Sequence, residues 1–107
     1  MSQTENAAAG QQEQRPALPP ASFNLLILSL RAQAEMHLGL LHFRDDHDRP
    51  APDLDASRHT IDLMAVLQEK TRGNLSLDEQ RLLENSLTEL RFRYVQAVEE
   101  AGRPERS

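Results

Sequence analysis

Apolar residues recur at helical spacing in three stretches of the chain, and turn-forming residues separate them. The first stretch follows Pro19-Pro20. There Ser22 is placed to cap a helix whose leading stripe is Phe23, Ile27, Leu30, Ala34, His37 or Leu38, and Leu41. This helix is expected over about 22–41. When positions advance by about 100° each, a second apolar stripe of Leu25, Leu28, Ala32 and Met36 falls almost on the opposite side. Asn24, Arg31 and Glu35 are left along one polar edge. A helix that is apolar on two faces requires two partners, and the rest of the chain supplies one.

The second stretch begins after Pro50-Ala51-Pro52, which cannot sit inside a helix, and Asp53 is positioned to accept from the free amides of the first turn. Leu54, Ile61, Leu63, Met64, Ala65 and Leu67 form a wide apolar stripe, with Asp55, Arg58, Asp62 and Glu69 opposite. Lys70 and Arg72 suit the negative end of the helix dipole, and Gly73 can adopt the left-handed conformation of a C-cap, so this helix is expected over 54–72.

Ser76-Leu77-Asp78-Glu79 is a capping box and starts the third helix, expected over 77–101. Its stripe is Leu83, Leu87, Leu90, Tyr94 and Val98, with Leu77, Leu82, Phe92 and Val95 beside it and a Glu89–Arg93 pair outside. Gly102 and Pro104 end it. A connection of about four residues, Gly73-Asn74-Leu75-Ser76, normally lays two amphipathic helices antiparallel. The expected fold is therefore all-α: an amphipathic N-terminal helix plus an antiparallel two-helix hairpin, one domain over 22–101, completed by self-association. The segment 42–53 is a linker, and 1–21 and 102–107 are expected to be disordered.

The run Ile61-Asp62-Leu63-Met64-Ala65-Val66-Leu67-Gln68-Glu69-Lys70-Thr71-Arg72-Gly73-Asn74-Leu75, followed by Glu79, Leu82-Leu83-Glu84 and Leu90-Arg91, resembles the bacterial family called domain of unknown function 1844. The segment from Ser22-Phe23 to Leu38-Gly39 is similar to that family's N-terminal helix. The resemblance covers roughly 22–41 and 54–97. It implies a small bacterial helical protein and brings no catalytic residue with it.

Composition narrows the partners. Aromatic residues make up 4% of 107 residues and tryptophan is absent, so a single core of three short helices is thin, and a second copy would add buried area. A formal charge of −5 disfavours nucleic acid, which is bound mainly through Lys and Arg on phosphates. Absence of cysteine removes disulfides and thiolate metal sites, and residues 1–21 lack the basic-then-apolar order of an export signal. A cytoplasmic location is expected. Arg31, Gln33, Glu35 and His37 argue against a membrane-spanning first helix. Attachment to a membrane surface is disfavoured because one Arg is opposed by one Glu.

Candidates for chemistry are sparse. His42 and His47, with Asp45, Asp46 or Asp48, carry metal-ligating groups, and a metal-dependent enzyme using His42 to Asp48 is the third functional alternative. Their spacing matches no established site, so no metal or cofactor is expected. His37 and His59 would need an opposing carboxylate in a cleft to act as acid or base. Asp62 and Glu69 share one helix face but lack the Glu-x-x-His pattern of bundle di-metal sites. Arg91-Phe92-Arg93-Tyr94 interleaves bases and aromatics, yet on a helix Arg91 and Arg93 diverge by about 200°. Arg91 is expected instead to pair with an acid on the second helix or on a partner chain. The favoured reading is a homo-oligomeric interaction or scaffold module without catalysis. It self-associates through the first helix, by Leu25, Leu28, Ala32 and Met36, and through the hairpin edges, with a different protein or a membrane surface as the alternative occupant.

Overall fold

The structure, a computed structural model of the chain, describes residues 17–40 and 51–103. Three helices account for most of them, and no strand occurs among the described residues: α1 (Phe23–His37), α2 (Leu54–Lys70) and α3 (Leu77–Gly102). The protein is all-α. Each helix packs against the other two around a core of Ile27, Ala34, Leu38, Ile61, Met64, Leu83, Leu87 and Leu90. The expected tail lies mainly, and the loop from His42 to Asp48 wholly, outside the described residues. Residues 17–22 are exposed and without regular structure.

Local chemistry sets the helix starts. The Ser22 hydroxyl accepts from the Leu25 amide at 3.0 Å, and Asp53 Oδ1 accepts from the Ala56 amide at 3.0 Å. In α3 both halves of the capping box form: the Glu79 amide donates to Ser76 Oγ at 3.2 Å and the Ser76 amide to Glu79 Oε1 at 2.8 Å. Each cap satisfies amides that the first turn leaves without helical partners.

Helix α1 stops at His37, short of the expected Leu41. Gly39, at φ 76°, turns the chain: its amide donates to the Met36 carbonyl at 3.0 Å, and the Leu40 amide returns to the Glu35 carbonyl at 2.9 Å. This is the Schellman pattern, and it ends the helix without ending the apolar period. Leu38, at 2% exposure, and half-buried Leu40 reach the core from the turn itself. The Asp53 amide then donates to the His37 carbonyl at 2.6 Å, tying the cap of α2 to the end of α1.

Of the six residues in the expected apolar stripe of α2, Leu54, Ile61, Met64, Ala65 and Leu67 are buried or half-buried, Leu63 is not, and two hydroxyl side chains share the face. Leu63 is 43% exposed, while Ser57 and Thr60 lie at the centre, at 0% and 1%. Their hydroxyls donate to carbonyls of their own helix, Ser57 to Leu54 at 2.9 Å and Thr60 to Ala56 at 3.2 Å, so neither carries an unmet hydrogen bond into the interior. Ser86 occupies an equivalent fully buried place in α3, and Ala34 one in α1. Small side chains at these points let the helix axes approach closely.

Between α2 and α3, Gly73 has φ 83°, and the neighbouring Asn74 amide donates to the Thr71 carbonyl at 2.8 Å. A Cβ added at Gly73 would meet nothing within 4 Å, so the cost of a side chain there is purely conformational. Gly73→Ala is expected to lower stability by about 1–2 kcal/mol through the left-handed backbone. The check is a urea unfolding midpoint that falls with an unchanged denaturant slope.

With 26 residues against 17 in α2, α3 is the longer rod by about 13 Å at 1.5 Å per residue. Its fully buried positions end at Leu90, and Tyr94 and Ala97 are half-buried. Every described residue from Val98 onward is exposed.

Candidate interaction surface

The two stripes of α1 have different surroundings. On the leading side Ile27 and Ala34 are fully buried, with Phe23 and Leu30 packed at the margin. On the outer side Leu25 is half-buried, Ala32 is exposed, Leu28 is 47% exposed and Met36 is 51% exposed. These four share one face because they recur at intervals of three and four. Leu26, 45% exposed, adds apolar area on the remaining edge; it belongs to neither stripe, so periodicity did not single it out.

The polar edge of α1 is fastened to α3. Arg31 Nε donates to Glu35 Oε2 at 3.2 Å, Nη1 to Ser86 Oγ at 3.4 Å, and Nη2 reaches Glu89 Oε1 at 3.5 Å. Glu89 Oε2 in turn takes Arg93 Nη2 at 3.5 Å. Two guanidinium groups and two carboxylates thus balance one another along the seam. Partly exposed pairs of this kind contribute about 0–1 kcal/mol each, so the seam sets the register of α1 on α3 more than it adds stability. It also engages the only Lys or Arg of α1. Sequence spacing placed Arg31 and Glu35 together but could not show that Ser86 and Glu89 face them.

Further apolar side chains are left on the outside of the other helices. Phe92 is 60% exposed, Val95 51% and Val98 41%. Leu63 and Val66, on the outer side of α2, are 43% and 52% exposed. Phe92 and Val95 flank the buried stripe of α3 in sequence, but they stand too far round the helix to reach the core.

At the α2–α3 turn, Gln68, Thr71, Arg72, Gly73, Gln80 and Glu84 border a hollow of about 310 Å³ that Leu75 and Leu83 help to line. Its one carboxylate, Glu84, accepts from Gln80 Nε2 at 3.0 Å. The hollow therefore has polar rims without a reactive cluster.

The candidate acid–base residues do not converge. His59 is exposed, His37 is half-buried, Asp62 pairs with Arg58 at 3.9 Å, and Glu69 is exposed. No group of three or more His, Asp or Glu with metal-binding geometry occurs among the described residues; His42, Asp45, Asp46, His47 and Asp48 lie outside them. In Arg91-Phe92-Arg93-Tyr94, Tyr94 packs on the core, Arg93 is held by Glu89, and Phe92 and Arg91 face outward. Arg91 has no ion-pair partner on α2 or elsewhere among the described residues. Among those residues, no helix is long and apolar enough to cross a membrane.

No curated protein and no solved structure matches the chain. A family profile, described as a domain of unknown function (DUF1844), matches residues 20–96, which takes in α1, α2, the turn with Gly73, and α3 as far as Gln96. With most of its length covered by that profile, the chain belongs to the DUF1844 family.

Proposed function

We propose that this protein is a non-catalytic helical interaction module of the bacterial cytoplasm, in which an N-terminal helix lies on an antiparallel hairpin and a second copy completes the assembly. The contact is the outer stripe of α1: Leu25, Leu28, Ala32 and Met36. The observation that carries the reading is the exposure of Leu28 and Met36, 47% and 51%, on a helix whose opposite face is already buried. Contiguous apolar area of this kind marks a contact surface more often than it marks bare solvent exposure. An isologous contact covers it on both chains at once. The scattered placement of His59, Asp62 and Glu69 supports a role without catalysis, and a chain lacking cysteine suits a reducing compartment.

Adsorption to anionic lipid is the weaker alternative, because Arg31 is engaged by Glu35 and Glu89 and α1 offers no other Lys or Arg to a headgroup. Light scattering on the eluting protein tests the reading. The parent chain should have at least twice the monomer mass, and Leu28→Glu with Met36→Glu should reduce that mass while the far-ultraviolet helix signal is retained. A folded parent chain that stays monomeric at every concentration would defeat the proposal. Flotation with anionic vesicles in place of self-association would favour the lipid alternative.

A further inference from the structure

We infer that the outward face of the α3 end is a second contact between copies, an antiparallel pairing of two α3 helices about a two-fold axis at Val95. The inference rests on the self-association proposed above and adds a separate site to it. Stepping about 100° per residue, Arg91, Phe92, Val95, Val98 and Glu99 fall within about 120° of one another, on a face that runs from the outer side of α3 at Phe92 to the margin of its core stripe at Val98. Phe92, Val95 and Val98 are the exposed apolar residues of this stretch, at 60%, 51% and 41%, and they lie where α3 is losing the cover of its neighbours.

Charge decides both the occupant and its direction. Around this face Arg93 is paired with Glu89, and Arg103 with Glu100. Arg91 and Glu99 alone on the face carry opposite charges without an ion-pair partner among the described residues. They flank Val95 symmetrically, four positions to either side. In an antiparallel pair centred on Val95, Arg91 of each chain comes level with Glu99 of the other and diagonally across from it, Phe92 comes level with Val98, and Val95 meets its own copy. In a parallel pair Arg91 would face Arg91 and Glu99 would face Glu99. The face is therefore self-complementary in one orientation and self-repelling in the other.

Two isologous faces on one chain build a tetramer or a longer row, and losing either face leaves a dimer held by the other. The test begins with the chain carrying Leu28→Glu and Met36→Glu, whose remaining dimer is assigned to α3. In that chain Arg91→Glu and Glu99→Arg should each weaken the dimer by about tenfold or more, since each places like charges at both contacts. An equimolar mixture of the two should associate again, because each then meets the opposite charge. Sedimentation equilibrium reads all three samples. Monomeric behaviour of the Leu28→Glu, Met36→Glu chain at concentrations where the parent is assembled overturns the inference, as does a mixture that associates no better than its components. Retention of the full parent mass by that chain would overturn the α1 contact instead. All four positions are at least partly exposed, and the far-ultraviolet helix signal verifies folding in each variant.

Discussion

Leu90→Ala should destabilise the protein by about 2–5 kcal/mol, the range for removing a fully buried leucine and leaving a cavity. Leu90 is at 0% exposure, the last fully buried position along α3. Stabilities of small domains are of the same size, about 5 kcal/mol at the low end, so this one change should leave a substantial unfolded population at ambient temperature. Circular dichroism during urea titration measures it, with Val95→Ala as the comparison. Val95 is 51% exposed, and in the dispersed chain its truncation should shift the midpoint by only a small fraction of the Leu90 effect.

Ala34→Leu tests the opposite error at the same core and should cost about 1–3 kcal/mol. Ala34 is fully buried in α1, with no spare exposure into which a larger side chain can swing. The added atoms must lift α1 from its neighbours, which would also stretch the Arg31 contacts to Ser86 and Glu89 at 3.4 and 3.5 Å. Ala32→Leu, two positions along on the exposed side, adds the same atoms without that conflict. A fall in the unfolding midpoint for position 34 and none for position 32 is the expected result. Equal falls at both positions would mean that the two faces of α1 are not differently covered.

What could be read from the sequence was chemistry that acts over a few residues. Ser22, Asp53 and the Ser76–Glu79 box cap their helices through bonds spanning three positions, and Gly73 takes its positive φ within a single residue. The two faces of α1 were legible because Ile27, Ala34 and Leu38 keep one helical period and Leu25, Leu28, Ala32 and Met36 another. The end of α1 was missed because Leu38, Leu40 and Leu41 prolong an apolar pattern past a glycine that had already turned the backbone. Ser57, Thr60 and Ser86 were missed for a different reason: a hydroxyl becomes buried when a neighbouring helix comes close, and hydropathy along one strand of text does not register that approach. Leu63 was counted with the stripe of α2 but stands about 100° round the helix from fully buried Met64, on the side toward solvent. The exposed end of α3 was hidden among residues that resemble a continuing buried stripe, and only the relative lengths of α2 and α3 separate the two.

The row formed by Arg31, Glu35, Glu89 and Arg93 runs between the bare aliphatic side of α1 and the Phe92 flank of α3, keeping these two apolar strips apart as separate lanes. Narrow lanes bordered by fixed charge give a stray hydrophobic surface little to grip, whereas one merged sheet would invite indiscriminate sticking. Under the self-association proposed above, a neighbour has to match one lane in shape and in the placement of its charges to gain enough to stay.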